Sequence, residues 1–281
     1  MCYIKQLDTK FLAAIGIWML FVTSISHAAT NDPDPNSSPE WKAIKLMMFG
    51  ERKINPDGNG VVRLFLNTKA DDASTVPVMV NGLIDQTSEK YIKTLYLIVE
   101  GNPSPIAGVF HFSPRSGRMK VETRLRFEQF SFVRAVAETN DGELYISQRY
   151  VHASGGCSSP GGKNKLSESL LGKIRFRIDD VVEFNRPVLV QMQVRHPNES
   201  SLAADFDVNR VPQFVRNVAV TYNENMVMTA QVDFSLSDNP LFVFYFVPEE
   251  EGELKVRVED THDKVFERSV FIGEGVVASG S

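Results

Sequence analysis

The sequence predicts an all-β fold in which two antiparallel β-sandwiches follow one short N-terminal helix. Short segments of β-branched, aromatic and aliphatic residues recur along most of the chain, with turn residues between them. Lys120 to Phe127 shows the clearest alternation of polar and apolar side chains, which is typical of a half-buried strand. Asn140-Asp141-Gly142 separates two such segments and favours a hairpin. Many short strands joined by turns indicate antiparallel sandwiches.

The predicted strands fall into two groups on either side of a glycine-rich stretch. They are residues 61–66, 76–80, 91–100, 108–112, 120–127, 132–138, 144–151, 174–178, 188–194, 214–222, 226–234, 242–246, 254–258 and 265–272. We therefore expect a linker over residues 29–39, a first sandwich over 40–153, a glycine-rich cysteine loop over 154–172, a second sandwich over 173–273 and a flexible tail over 274–281.

A short helix is predicted at the start of the first sandwich. Ser38 is suited to the N-cap and Pro39 to the first helical position. Trp41, Ile44 and Met48 then share one face, because residues three and four apart are neighbours on a helix. We expect this apolar face to pack on the first sandwich.

Residues 1–28 are predicted to form a secretory signal peptide. Lys5 and Lys10 give a positive start, and Phe11 to Val22 is an apolar run of about 12 residues, too short to span a bilayer. Residues 26–28 (Ser-His-Ala) supply small residues for cleavage. The sequence therefore predicts an exported protein without a membrane span after cleavage, and an uncleaved membrane anchor is the alternative.

The charge of the chain argues against nucleic acid as a partner. The formal net charge is −5, and cleavage after Ala28 would remove Lys5, Lys10 and Asp8 and leave −6. An acidic protein is poorly suited to bind a phosphate backbone.

Cys157 is the one cysteine that would remain after cleavage, since the other is Cys2. Structural cysteines are usually buried among apolar neighbours, whereas the residues on both sides of Cys157 are small or polar. Glycines let the backbone present the sulfur to another molecule, so we expect an exposed thiol on a flexible arm. The arm glycines are Gly155, Gly156, Gly161 and Gly162.

The first half resembles the sulfur-carrier subunit of the periplasmic SoxYZ proteins. The residues that carry this resemblance are Thr75 to Val78, Gly101 to Pro105, Phe110 to Arg118, Ala135 to Glu138, Asp141-Gly142 and Gly155-Gly156-Cys157. The second half resembles the partner subunit through His196 to Glu199, Val218 to Thr221, Ser237 to Pro240 and Phe242 to Phe246. The chain is most similar to the fused branch associated with quinoprotein dehydrogenases.

The resemblance implies two immunoglobulin-like sandwiches and a periplasmic carrier without its own turnover. It implies that Cys157 binds sulfur-containing cargo covalently and that the glycine arm presents it to a c-type cytochrome, a hydrolase or a quinoprotein dehydrogenase. No cofactor is implied. The chain departs from the family pattern where Ser158 and Ser159 replace glycines, and where the second half follows the arm instead of a free end.

Two other functions remain open from the sequence. The chain is alternatively a binding adaptor for a quinoprotein dehydrogenase, with the thiol incidental. A Cys–His hydrolase is the third reading, with His111, His152, His196 and His262 as candidate bases, although a flexible loop would hold the thiol poorly. We expect His196, which precedes Pro197, to be a structural turn residue.

No metal site is expected. The histidines show no ligand spacing, and the segment Asn55 to Gly60 resembles a calcium loop but places Leu66 where a bidentate Glu is needed, so we interpret it as a turn. Glu249 to Glu251 is expected to be a solvated hairpin tip. Leu241 to Val247 is expected in the core, with an edge strand as the alternative.

Overall fold

Alternating apolar residues organise the chain into strands, as the sequence predicts. The computed structural model describes residues 32–160, 167–178 and 181–277. The predicted signal peptide, residues 1–28, lies outside the described residues. Among the residues described, no helix is both long enough and apolar enough to cross a bilayer.

One helix and sixteen strands are present in the described residues. They are α1 (Pro39–Phe49), β1 (Ile54–Asn55), β2 (Val62–Leu66), β3 (Val76–Asp85), β4 (Ile92–Val99), β5 (Ile106–Phe112), β6 (Arg118–Leu125), β7 (Ser131–Thr139), β8 (Leu144–Val151), β9 (Ile174–Ile178), β10 (Val188–Val194), β11 (Val215–Tyr222), β12 (Asn225–Val232), β13 (Leu241–Phe246), β14 (Gly252–Asp260), β15 (Val265–Gly273) and β16 (Val276–Val277).

Helix α1 begins and packs as its sequence predicts. The Oγ of Ser38 accepts a hydrogen bond from the backbone N–H of Trp41 at 3.1 Å, which satisfies one of the free donors of the first turn. Trp41, Ile44 and Phe49 are buried, and Met48 is half-buried against them. The helix therefore covers one face of β4, β7 and β8 through its apolar stripe.

The strands form two sheets in the part of the chain that the structure describes. The ten-stranded sheet has the order β1-β8-β7-β4-β5-β12-β11-β14-β15-β16, and the six-stranded sheet has the order β2-β3-β6-β13-β10-β9. Their facing apolar side chains form one core that includes residues of both halves. The predicted all-β class, with antiparallel sandwiches and a short N-terminal helix, is confirmed.

The two predicted sandwiches are continuous with each other rather than separate. Strand β5 of the first half pairs with β12 of the second half from Gly108↔Val232 to Phe112↔Met228. Strand β6 pairs with β13 at Glu122↔Val243. Each sheet thus passes from one half into the other, and the chain from Pro33 onward forms one compact unit.

Each predicted strand corresponds to one of β2 to β15, and the short strands β1 and β16 were not predicted. The core prediction for Leu241 to Val247 is confirmed, because β13 lies inside the six-stranded sheet between β6 and β10. Strand β16, which pairs with β15, lies within the predicted tail, and residues 278–281 of that tail lie outside the described residues. The calcium-like segment forms a short 3₁₀-helix over Pro56–Gly60.

Candidate functional site

Cys157 is fully buried, with none of its surface exposed. The expectation of an exposed thiol on a flexible arm is therefore wrong for this conformation. The cysteine segment, defined as residues 154–160, folds back into the body of the protein after β8 instead of extending from it. The other two predicted arm glycines, Gly161 and Gly162, lie outside the described residues.

The two glycines before Cys157 dock the segment against the first half. The N–H of Gly155 donates to the carbonyl of Glu128 at 2.9 Å, and the N–H of Gly156 donates to the carbonyl of Phe127 at 2.7 Å. A Cβ on Gly156 would lie 2.0 Å from the carbonyl oxygen of Ala73, which is a steric clash with backbone. In this conformation Gly156 permits close packing, a role different from the predicted flexibility.

The carboxylate of Glu128 holds the next two residues. Its Oε2 accepts hydrogen bonds from the N–H of Cys157 at 3.1 Å and the N–H of Ser158 at 3.0 Å. Its Oε1 accepts a hydrogen bond from the Ser158 hydroxyl at 3.0 Å. The Ser159 hydroxyl donates to the carbonyl of Gly155 at 2.7 Å and closes the turn. Ser158 and Ser159 stand where the resemblance places glycines, and their hydroxyl groups make hydrogen bonds that glycine cannot make.

Asn102 positions the backbone that carries Glu128. Its Oδ1 accepts a hydrogen bond from the N–H of Glu128 at 2.9 Å, and its Nδ2 donates to the carbonyl of Arg126 at 2.8 Å. Asn102 belongs to one of the segments that carry the family resemblance, but its contact with Glu128 had no signal in the sequence.

Arg126 joins the site to the second half of the chain. Its buried guanidinium donates through Nη1 to the carbonyls of Asn198 at 2.8 Å, Phe234 at 2.7 Å and Leu236 at 2.7 Å. Burial lowers the pKa of Arg126, and the nearby Asp238 and Cys157 oppose that shift. Neither Arg126 nor Glu128 belongs to a recognisable motif, so no signal in the sequence marks them as site residues.

The environment of Cys157 favours the protonated thiol. Burial raises the pKa of Cys157 from 9.0 to about 12. The charges of Glu128 and Asp233 add to this increase, whereas Arg126 opposes it. Because the thiolate is the reactive form, the thiol of Cys157 is unreactive in this buried position.

A long loop of the second half covers the cysteine segment. This cover loop, defined as residues 199–213, contacts the segment through the N–H of Ala204, which donates to the carbonyl of Ser158 at 3.1 Å. Its two ends are tied together, because the N–H of Glu199 donates to the carbonyl of Gln213 at 2.8 Å and Oε2 of Glu199 accepts from the N–H of Gln213 at 2.9 Å. The loop is thus compact and its two ends lie close together.

A cavity of about 740 Å³ lies beside the cysteine segment and is lined by residues of both halves. Its lining includes Gly156 and Ser159, on either side of Cys157, and Ala203 and Phe206 of the cover loop. Arg126 reaches the same cavity. The space beside the segment is large enough for a small group carried on the sulfur if the side chain turns towards it.

The candidate histidine bases are engaged with groups other than Cys157. His196 is buried, its Nδ1 accepts from the N–H of Asn198 at 3.0 Å, and its Nε2 lies 3.4 Å from Oδ2 of Asp260. Both ring nitrogens are thus occupied, which agrees with the structural role predicted for this residue. The described contacts of the other three are His111 with Thr94, His152 with the rings of Phe130 and Tyr150, and His262 with the carbonyl of Val211.

No metal centre is found in the ranges that the structure describes. Within them, no three side chains of His, Cys, Asp or Glu are grouped so that they could bind a metal ion.

Two family models match the chain, one in each half. The model described as sulfur oxidation protein SoxY matches residues 45–157, and the model described as sulphur oxidation protein SoxZ matches residues 176–270. Together they cover most of the sequence, in the order of the two halves. The first match ends at Cys157.

Solved structures give weaker similarities. The sulfur carrier protein SoxY from Chlorobium limicola f thiosulfatophilum is 19% identical, with 41% of this chain and 91% of that chain covered and a TM-score of 0.32. The fibronectin(III)-like modules of Clostridium thermocellum CbhA are 11% identical, with 75% and 93% covered and a TM-score of 0.23. No curated protein matches the chain.

Proposed function

Because the chain belongs to the SoxYZ sulfur-carrier family, we propose that it binds sulfur-containing groups covalently on Cys157 and presents them to partner enzymes in the periplasm. Members of this family are carriers or adaptors rather than enzymes, and this chain combines the SoxY and SoxZ parts in one polypeptide. The periplasmic location is supported by the predicted signal peptide of residues 1–28.

The observation that carries the proposal is the position of Cys157 at the junction of the two halves. The segment that contains it is docked on the first half by Glu128 and covered by the second half at Ala204. A carrier benefits from such a site, because a labile sulfur–sulfur bond survives longer where water and stray thiols are excluded. The cavity beside Gly156 and Ser159 provides the space for the cargo.

The chemistry of loading requires no external oxidant if the donor is a persulfide. The thiolate of Cys157 attacks the outer sulfur of the donor, a new sulfur–sulfur bond forms to Cys157, and the sulfur–sulfur bond of the donor breaks. The donor leaves as a thiolate and takes up the proton that Cys157 has released. Because burial raises the pKa of Cys157 to about 12, this step takes place after the segment has left its closed position.

The partners that we propose are periplasmic sulfur-processing or redox enzymes. Family members act together with sulfur-processing enzymes, and the candidates for this chain are a c-type cytochrome, a hydrolase or a quinoprotein dehydrogenase. Nucleic acid is an unsuitable partner, because the net charge of the chain is −5.

The test is the mass of the Cys157 peptide in protein purified from its native host. Trypsin releases residues Tyr150–Lys163, which contain Cys157 as their single cysteine. We expect adducts that add the mass of one or more sulfur atoms and disappear with reductant, and we expect none in Cys157→Ser. An unmodified thiol under all growth conditions would contradict the carrier proposal.

The burial of Cys157 favours a second candidate, a binding adaptor for a quinoprotein dehydrogenase with no covalent cargo. A permanently buried thiol would serve only packing. Co-purification with wild type and with Cys157→Ala separates the two functions. Binding and growth phenotype that both survive the substitution favour the adaptor, whereas a lost phenotype with retained binding favours the carrier.

A further inference from the structure

We propose that Glu128 is the positioning residue that holds Cys157 closed, and that release from its carboxylate is the step that exposes the thiol to donors and partners. This inference rests on the proposed function, since exposure matters only if Cys157 reacts. It adds a residue that lies outside the cysteine segment and determines when the segment opens.

The carboxylate is the contact that reaches the cysteine itself. The backbone bonds of the segment to the first half are made by Gly155 and Gly156, and they end one residue before Cys157. The N–H groups of Cys157 and Ser158 both donate to Oε2 of Glu128, and the Ser158 hydroxyl donates to Oε1. One side chain therefore satisfies three donors from two consecutive residues.

Loss of these bonds would destabilise the closed position selectively. Cys157 has no exposed surface, so its N–H cannot turn to bulk water while the segment is docked. A buried N–H without a partner is unfavourable, whereas the same N–H in an extended, solvated segment bonds to water. Removing the carboxylate thus shifts the balance towards the open position.

The negative charge of the Glu128 carboxylate strengthens its hydrogen bonds to the cysteine segment. Hydrogen bonds to an ionised acceptor are roughly twice as strong as those between neutral groups. A glutamine at position 128 could accept from the two N–H groups through its single oxygen, but without the charge. Two substitutions at position 128 therefore distinguish the two contributions: Glu128→Gln removes the charge, and Glu128→Ala removes the charge and the hydrogen bonds.

The test measures how fast iodoacetamide alkylates Cys157 in the folded full chain. The product is followed in the tryptic peptide Tyr150–Lys163, so that Cys2 does not contribute. We expect the rate to increase about 10-fold in Glu128→Ala and about 3-fold in Glu128→Gln, because the second variant keeps neutral hydrogen bonds. Both variants remove the charge that helps to raise the pKa of Cys157, so the difference between them, together with hydrogen exchange, reports the opening itself. Glu89→Gln, which removes an exposed carboxylate between β3 and β4, is the matched control and should alkylate at the wild-type rate.

A wild-type rate in Glu128→Ala overturns the inference. If Glu128→Ala does not fold, Glu128→Gln decides alone, and an unchanged rate in that variant also overturns it. Hydrogen exchange excludes a merely structural role: in Glu128→Gln we expect faster exchange at the amides of 157 and 158 and unchanged exchange in β7 (Ser131–Thr139). Equal acceleration in β7 would mean general loosening and would contradict the proposal.

The alkylation result is independent of cargo. Faster alkylation in Glu128→Ala combined with an unmodified peptide from the native host would support the role of Glu128 and contradict the carrier function. Adducts in the native host combined with unchanged alkylation would support the carrier function and contradict the role of Glu128.

Discussion

The two halves of the molecule hold the cysteine segment in different ways. The first half provides a floor, in which backbone carbonyls of Phe127 and Glu128 and the carboxylate of Glu128 bind four successive residues. The second half provides a cover, whose described hydrogen bond to the segment runs from the N–H of Ala204 to the carbonyl of Ser158. Phe127 of the floor belongs to the shared core, whereas the cover is an irregular loop.

This difference indicates the order in which the site opens. A loop that makes few backbone bonds opens at lower free energy than a segment bonded along its length to a packed core. We therefore expect the cover loop to open first and the cysteine segment to leave the first half only after its bonds to Glu128 break.

The largest expected effect on stability is that of a substitution at Arg126, which connects the cysteine site in the first half with the second half. We expect Arg126→Ala to lower the free energy of unfolding by about 3–5 kcal/mol, because it removes a buried side chain and leaves the carbonyls of Asn198 and Phe234 without their described donor. The carbonyl of Leu236 keeps its hydrogen bond from Nδ2 of Asn198. Chemical denaturation measures this change. Arg124→Ala, two residues earlier on β6 and half-buried, is the control and should cost less than about 1 kcal/mol. Equal losses in the two variants would contradict the assigned role of Arg126.

Gly156→Ala tests how closely the cysteine segment packs on the first half. The added Cβ would lie 2.0 Å from the carbonyl oxygen of Ala73, so we expect a loss of about 2–4 kcal/mol or expulsion of the segment. Thermal unfolding together with alkylation of Cys157 detects either result. Ser154→Ala, in the exposed start of the segment, should change neither measurement. A fully stable Gly156→Ala with a protected thiol would show that the floor is looser than described.

Ala204→Pro tests the contact between the cover loop and the cysteine segment. Proline has no N–H, so the bond to the carbonyl of Ser158 is lost and the cover loop should open more often. We expect the alkylation rate of Cys157 to increase by about 3-fold, less than in Glu128→Ala, since one neutral hydrogen bond is removed. Val208→Pro places the same residue at a position whose side chain is 85% exposed and serves as the control. An effect larger than that of Glu128→Ala would reverse the proposed asymmetry.

The smallest expected effect is at the ion pair that spans the two halves at the surface. Arg115 Nη1 and Glu249 Oε2 are 3.1 Å apart, and both side chains are partly exposed. Glu249→Gln should change the free energy of unfolding by less than about 0.5 kcal/mol, because solvent screens exposed pairs. A loss above about 1 kcal/mol in denaturant titrations would mean that the halves depend on surface charge as well as on their shared sheets.

Most of the strands could be predicted from the sequence, because alternation and turn residues are local signals. The N-cap at Ser38 and the hairpin around Asn140-Asp141-Gly142 follow from the same kind of signal. The continuity of the sheets could not be predicted, since β5 pairs with β12 across a separation of more than 100 residues. A single sequence contains no information on such long-range pairing.

The sequence indicates Cys157 as the central residue of the candidate site but does not indicate the residues that surround it. Cys157 stood out as the cysteine that follows Gly155 and Gly156. Its burial could not be predicted, because glycine permits both a flexible arm and a tightly packed segment. Glu128 had the sequence pattern of an ordinary surface carboxylate, and only the fold brings it to the N–H groups of Cys157 and Ser158.

We expect the stability of the closed position of Cys157 to depend on pH. The pKa of Cys157 in the folded protein, about 12, is above its ordinary value of 9.0. The closed position therefore gains stability from the protonated thiol below pH 9.0 and loses this contribution as the pH rises towards about 12.

The most direct test of the closed, releasable cysteine compares the alkylation rate of Cys157 in the native chain with that in the chain unfolded by urea, at about pH 8. Cys157 has no exposed surface in the closed position and its pKa is raised there, so alkylation takes place only when the segment opens. We therefore expect native alkylation to be slower than in urea by more than about 10-fold, yet measurable and complete on long incubation. Equal rates in the two states would show that Cys157 is not held closed. No native alkylation at any time would show that it is never released, and would contradict its role as a carrier.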